Sequence, residues 1–236
     1  MPLRCTHSHH LQRFAAASAL RIGLLGGSFN PAHDGHVTIS LQAMKRLRLD
    51  AVWWIVSPSN PLKDPATLAP FDVRVALATD AIHSHPHLHL CLVEEAWQLR
   101  YTHATLTRLT QRFPQHRFIW LMGADNLHGF HRWQRFEKIA MQMPMAVFDR
   151  APCTYAPLYA KTAVRLRRFR ASPEQIRACT HSPAWSMLFL RRHPMSATHL
   201  RKSLGMDAFL GHNVKVRVEP FTRNELEESV LSAQML

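Results

Sequence analysis

The densest chemistry in the chain lies in one run of residues, Gly26-Gly27-Ser28-Phe29-Asn30-Pro31-Ala32-His33-Asp34-Gly35-His36. Paired glycines let a backbone approach a bound group closely. His33 and His36 are three residues apart, so on a helix they share one face. A helix beginning near Gly35 would aim its first amide N–H groups and its positive dipole end at the same place. Two imidazole donors beside such amides form a clamp for phosphate. The same pair could hold a metal or be plain surface, but no third ligand lies nearby in the sequence. The run fits neither G-x-x-x-x-G-K-[ST] nor G-x-G-x-x-G, which sets aside a P-loop and the dinucleotide fingerprint.

Such a clamp needs a strand–helix junction, and the flanking pattern supplies one. Strands are expected at 21–25, 51–56, 88–93, 117–122, 144–148 and 187–190. Helices are expected at 35–49, 71–83, 102–113, 130–141 and about 196–204. Alternating units with short, continuous apolar strands predict an α/β fold, a Rossmann-like doubly wound parallel sheet with helices on both faces. Ligands in such sheets bind outside the carboxyl ends of the strands, where the run after the first strand lies. One domain over 21–204 is expected, after an N-terminal extension (1–20) and before a tail of uncertain structure (205–236). Residues 151–186 are the least regular part, and 225–232 could form a short helix.

Composition bounds the partners. Of 236 residues, 47% are hydrophobic and 19% charged, which supports a sizeable core and argues against disorder. No window approaches 18 uninterrupted apolar residues, so no membrane span is expected. The four Cys form no C-x-x-C pair, which fits a reducing, cytoplasmic setting. Twenty-nine basic against 16 acidic residues give +13, a surface that attracts phosphates of any kind. The 17 His include His83, His85, His87 and His89, read as a solvated loop with no carboxylate or Cys to complete a metal geometry. The basic residues of 161–202 read as a solvated face.

A second run, Ser196-Ala197-Thr198-His199-Leu200-Arg201, opens the late helix. GGSFNPAHDGH with this S-x-T-x-x-R resembles the paired signatures of H-x-G-H nucleotidyltransferases, each at a strand–helix junction. Within that class the chain resembles bacterial nicotinate-nucleotide adenylyltransferases. The resemblance rests on Ser57-Pro58-Ser59-Asn60-Pro61-Leu62-Lys63, Tyr101-Thr102-His103-Ala104-Thr105-Leu106, Met122-Gly123-Ala124-Asp125-Asn126-Leu127 and Arg132-Trp133. It covers about residues 21–204. Leu62 stands where the family often has His before the Lys, and the family's final apolar strand and Tyr-containing helix are not found.

The resemblance implies adenylyl transfer from ATP to nicotinate mononucleotide, giving deamido-NAD and pyrophosphate. It implies catalytic roles for His33, His36, Lys63 and Arg201. ATP would be held by Gly26, Gly27, Ser28, Phe29, His33, His36, Ser196, Thr198 and Arg201. The mononucleotide would meet Asn30, Thr102, Asp125 and Trp133. Mg²⁺ would bind mainly through the ATP phosphates, with no protein metal cage. Structural readings stand beside these: Trp133 as a core aromatic on an amphipathic helix, and Asp125 and Thr102 as helix N-caps. A related enzyme using nicotinamide mononucleotide or phosphopantetheine is an alternative. So is a non-catalytic RNA-binding protein, although stacked aromatics on a strand face are not evident. Neither a nucleic-acid nor a membrane partner is expected, and the oligomeric state is open.

Overall fold

The computed structural model describes residues 14, 18–59, 61–62, 64–149, 156–178 and 182–190. Lys63, Ser196, Thr198, Arg201, the helix expected at 196–204 and the tail fall outside the described residues.

Six apolar segments become strands: β1 (Arg21–Gly27), β2 (Ala51–Val56), β3 (Leu88–Cys91), β4 (Arg117–Gly123), β5 (Met145–Asp149) and β6 (Trp185–Phe189). They form one sheet in the order β3-β2-β1-β4-β5-β6, and every pair is parallel. A parallel strand covered on both faces must be apolar on both, and every residue of β2 (AVWWIV) is buried. Its neighbouring tryptophans divide accordingly. Trp53 packs into one core cluster and Trp54 into the cluster on the other face.

Helices α1 (Asp34–Leu47), α2 (Phe71–Ile82) and a short α8 (Pro173–Ala178) cover the Trp54 face through Ile39, Ala43, Leu47, Val75, Ala78 and Ile176. The Trp53 face is covered by α4 (Thr102–Arg112), α5 (Ala124–Gly129), α6 (Phe136–Gln142) and α7 (Lys161–Arg165). This is the doubly wound arrangement expected. The chain winds outward from β1 through β2 to β3, then returns to place β4 on the other side of β1. Ile22 of β1 therefore pairs with Ala51 on one side and Phe118 on the other. The connections leaving β1 and β4 diverge there, and the crevice between them is where ligands of such sheets bind.

Several boundaries differ from expectation. The third strand stops at Cys91, and a four-residue α3 (Val93–Ala96) follows it. The single helix expected over 130–141 is two pieces, a 3₁₀ turn (Phe130–Arg132) and α6. Between them Arg135 takes a left-handed backbone, φ 54° and ψ 39°, which a continuous α-helix does not allow. Inside 151–186, Ala163 and Ile176 give two short helices a core-facing side. Ahead of β1, Phe14 is buried against Trp53 and His89, with ring centroids 5.1 and 5.2 Å away. No helix among the described residues is long and apolar enough to cross a membrane.

Candidate active site

The run after β1 folds around the start of α1. The helix begins at Asp34, one residue earlier than expected, and His33 is its N-cap rather than part of a helical face. The His33 Nδ1 accepts the Gly35 N–H at 3.0 Å. The His36 Nδ1 accepts the His33 N–H at 3.3 Å. This is a reciprocal capping box with imidazoles in the places usually held by Ser or Thr and Glu or Gln. An Nδ1 that accepts forces the hydrogen of a neutral imidazole onto Nε2. Both rings thus carry their donor on the nitrogen away from the cap, and their centroids are 4.0 Å apart. His33 is buried and His36 half-buried.

Trp54 supports this pair from beneath. Its ring stacks on Phe29 at 4.8 Å with 15° between the planes. Its indole Nε1–H donates to Ser40 Oγ at 2.8 Å, and that hydroxyl donates to the His36 carbonyl at 2.9 Å. Phe29 has φ 45°, so the loop reverses sharply at a residue wedged between Trp54 and His36. The glycine at 26 has a packing cause besides any ligand. A Cβ there would stand 2.3 Å from the Trp120 ring. The Ser28 Oγ is buried and has no hydrogen-bond partner among the described residues.

Two charged residues that sequence reading passed over, Arg74 and Glu94, join Ser57 and Thr105 in binding this loop to its neighbours. Arg74 of α2 is 1% exposed, and no carboxylate pairs with its guanidinium among the described residues. It donates to four carbonyls instead: Ala69 at 2.9 Å, Ser28 and Ser57 at 2.7 Å each, and Pro58 at 2.9 Å. Burial lowers its pKa from the usual arginine range. Ser57, just past β2, also donates its N–H to the Gly27 carbonyl at 3.0 Å and its hydroxyl to Glu94 Oε2 at 2.5 Å. Glu94 of α3, buried, accepts from Thr105 of α4 through Oε1 at 3.0 Å. Burial pushes the Glu94 carboxyl above the usual range, against the pull of the Ser57 and Thr105 hydrogen bonds. Asn30 joins the same web: its amide donates to the Thr67 carbonyl at 2.8 Å and its Oδ1 accepts the Ala69 N–H at 3.0 Å.

On the far side of the crevice, Gly123 is the N-cap of α5, so Asp125 lies in its first turn and is exposed rather than capping. Tyr101 is the N-cap of α4, and Thr102 is its first helical residue, half-buried. Trp133 follows the 3₁₀ turn, and is not on a helix. It is partly buried against Phe130 and Trp120, at 5.2 and 6.3 Å. The structure thus gathers Gly26–His36 into one loop at the end of β1 and sets Asp125 at the end of β4, the adjacent strand. Thr102 is tied toward the β2 end through Thr105 and Glu94. A charged residue inside an apolar stretch was the available signal for the missed groups: Arg74 within FDVRVAL and Glu94 directly after LHLCLV.

Comparison with known proteins decides the kinship. A cytidylyltransferase-like family model matches residues 24–203. A protein of Methylorubrum extorquens (strain PA1) named "Probable nicotinate-nucleotide adenylyltransferase" is 46% identical over 184 residues, covering 77% of this chain and 99% of its own length. A Brucella abortus (strain 2308) protein of the same name is 40% identical over 185 residues, covering 78% of this chain and 95% of its own. This chain belongs to the nicotinate-nucleotide adenylyltransferase family. It is a nucleotidyltransferase, and its fold agrees. A Plasmodium falciparum nicotinic acid mononucleotide adenylyltransferase, solved in complex with NaAD, superposes with a TM-score of 0.59 at 16% identity, covering 78% of this chain and 84% of that one.

Proposed function

We infer that the chain transfers the adenylyl group of ATP to nicotinate mononucleotide, giving deamido-NAD⁺ and pyrophosphate in NAD biosynthesis. The observation that carries this reading is the His33–His36 capping box at the start of α1, where the sheet order reverses. The mononucleotide 5′-phosphate attacks the α-phosphorus of ATP in line. The bond from that phosphorus to the pyrophosphate oxygen breaks, and pyrophosphate leaves. The second pKa of a phosphate monoester is roughly 6, so the nucleophile is ionised at neutral pH and needs no general base. Catalysis is then positioning and charge stabilisation.

His33 and His36, through their Nε2–H groups, are assigned to the ATP phosphates and the charge that develops on the transferring group. The Gly26–Phe29 backbone and the Ser28 hydroxyl line the same phosphates, and the lack of a described partner for Ser28 Oγ supports that role. Lys63, Ser196, Thr198 and Arg201 are assigned by motif, to neutralise phosphate charge and hold the leaving pyrophosphate. Asn30, Thr102, Asp125 and Trp133 are assigned to the mononucleotide, Asn30 chiefly by fixing loop 65–69. Imidazole and hydroxyl donors suit phosphate oxygens, so Mg²⁺ would enter on the triphosphate with its remaining positions on water. We place the enzyme in the cytoplasm, with residues 21–204 as its catalytic domain.

The acid is the preferred mononucleotide. The first N–H groups of α4 have no intrahelical carbonyl to bond, and a carboxylate accepts from them where an amide NH₂ would face another donor. One buried mismatch costs about 1–3 kcal/mol, roughly 5- to 150-fold. The test is to supply ATP and Mg²⁺ with each mononucleotide, identify the dinucleotide, and compare kcat/KM. Equal values or a preference for the amide would overturn acid selectivity, and no dinucleotide from either would overturn the reaction.

A further inference from the structure

We propose that Glu94 is a positioning residue that ties the ATP-side loops to the mononucleotide-side helix, so that the two halves of the crevice are set by one buried carboxyl group. The proposal rests on the functional reading above for what each side binds, and on three connections for the tie itself.

The first connection is Ser57. Three of its atoms are held by three different elements. Its N–H is on the Gly27 carbonyl of the β1 end, its carbonyl is on Arg74 of α2, and its hydroxyl is on Glu94 of α3. A residue held this way cannot shift without disturbing the loop that carries Gly27 and Ser28.

The second is Thr105. It lies one turn into α4, on the same helix as Thr102, and donates to the other oxygen of Glu94. Thr105 is 0% exposed, so this bond has no water to replace it. The third is the backbone around Glu94. The Leu99 N–H bonds the Glu94 carbonyl at 2.8 Å, which curls the segment between α3 and α4 back onto the carboxyl-bearing residue. Glu94 itself is 4% exposed. Among the described residues its side chain bonds Ser57 and Thr105, neither of which is assigned to substrate, and it acts through them.

Hydrogen-bond chemistry makes the tie testable by isosteric change. Both partners of Glu94 are hydroxyls, which can donate or accept. Gln at 94 can accept from one and donate to the other, so geometry survives the loss of charge. Ala at 94 removes the shared acceptor, leaves the Thr105 hydroxyl only its 3.4 Å contact with the Tyr101 carbonyl, and releases α4 from Ser57.

The experiment compares wild type, Glu94→Gln, Glu94→Ala, Ser57→Ala and Thr105→Val. Melting curves confirm folding, ATP binding is followed by calorimetry, and KM for each substrate is measured at several fixed concentrations of the other. In Glu94→Ala, kcat/KM should fall for both substrates by about 10²-fold, the scale for small misplacement of bound reactants. The influence of one substrate on the KM of the other should vanish. Glu94→Gln should return most of both. Ser57→Ala should weaken ATP more than mononucleotide, and Thr105→Val the reverse. If Glu94→Ala fails to fold, that opposite pattern in the two single-arm variants decides. Wild-type KM values in a folded Glu94→Ala, Glu94→Gln as impaired as Glu94→Ala, or the same substrate bias in Ser57→Ala and Thr105→Val would overturn the proposal. Calorimetric ATP binding needs no mononucleotide. Weakened ATP binding in Ser57→Ala therefore supports the ATP arm even if nicotinate mononucleotide proves not to be the acceptor, and unchanged binding there counts against the tie whichever acceptor is used.

Discussion

His33 and His36 lie against each other with ring centroids 4.0 Å apart and 42° between their planes, and together they close the α1 cap. One side chain thus serves helix stability and, in the function proposed, phosphate binding, and the two can be separated. Asn is among the preferred N-cap residues, and Ala is not. His33→Asn should keep the cap, staying within a few tenths of a kcal/mol of wild type, while kcat falls by about 10²-fold for loss of a positioned donor. His33→Ala should lose that activity and about 1 kcal/mol besides. Urea titration and steady-state kinetics on the two variants check both parts. A fully active His33→Asn would remove the imidazole from the chemistry.

Arg74 predicts a stability effect out of proportion to its charge. Replacement by Met leaves the carbonyls of Ser28, Ser57, Pro58 and Ala69 without their donor in a buried site. The expected loss is about 3–5 kcal/mol. Lys should recover less than half of it, because a single ammonium cannot reproduce a planar fork that reaches four acceptors. Chemical denaturation of the two variants gives the comparison, and a Lys variant as stable as wild type would contradict it.

Glu94 gives stability a pH dependence of known sign. Its folded pKa is raised above the ordinary carboxyl value. The folded state therefore holds the proton more tightly than the unfolded chain, and stability present below the unfolded pKa is lost as pH rises through the folded one. Gln cannot ionise. The stability of Glu94→Gln relative to wild type should therefore improve steadily from about pH 4 toward neutrality. Denaturation midpoints across that range measure it, and a constant difference would show that Glu94 does not titrate as inferred.

His116 acts in the opposite direction. Its Nδ1 accepts the Leu20 N–H at 3.2 Å, and its Nε2 meets the Phe14 carbonyl at 2.9 Å, so the neutral Nε2–H ring fits both. Burial lowers its pKa, partly offset by the Phe14 bond. The stability this ring contributes is complete above its unfolded pKa of about 6.5 and is lost as pH falls toward the lower folded value. Amide exchange at Leu20 should accelerate below that range faster than exchange at Arg117, whose N–H is held by the Leu20 carbonyl rather than by the ring.

The parts of this architecture that sequence made legible are those written in apolar periodicity and in motifs. AVWWIV and RFIWLM could only be strands buried on both faces, and GGSFNPAHDGH fell at the junction of β1 and α1 where a strand–helix turn was expected. What escaped was polar satisfaction. Periodicity shows that Arg74 lies among apolar neighbours but not that four carbonyls await it, since three of them come from two loops distant in sequence. The break at Arg135 was equally hidden, because a left-handed turn without Gly, Asn or Asp leaves no residue to flag it. His33 as a cap was missed because imidazole is not among the residues expected there.

The placement of the tryptophans gives the protein an optical property. The sequence has six, and Trp53, Trp54, Trp120 and Trp185 are at most 2% exposed. Their emission should be blue-shifted and deaf to dissolved quenchers such as iodide. Trp97 lies under the Arg108 guanidinium, 4.7 Å from its ring centroid. In the function proposed, that leaves Trp133 as the indole whose brightness a nucleotide entering the crevice should change, a built-in reporter over a steady background.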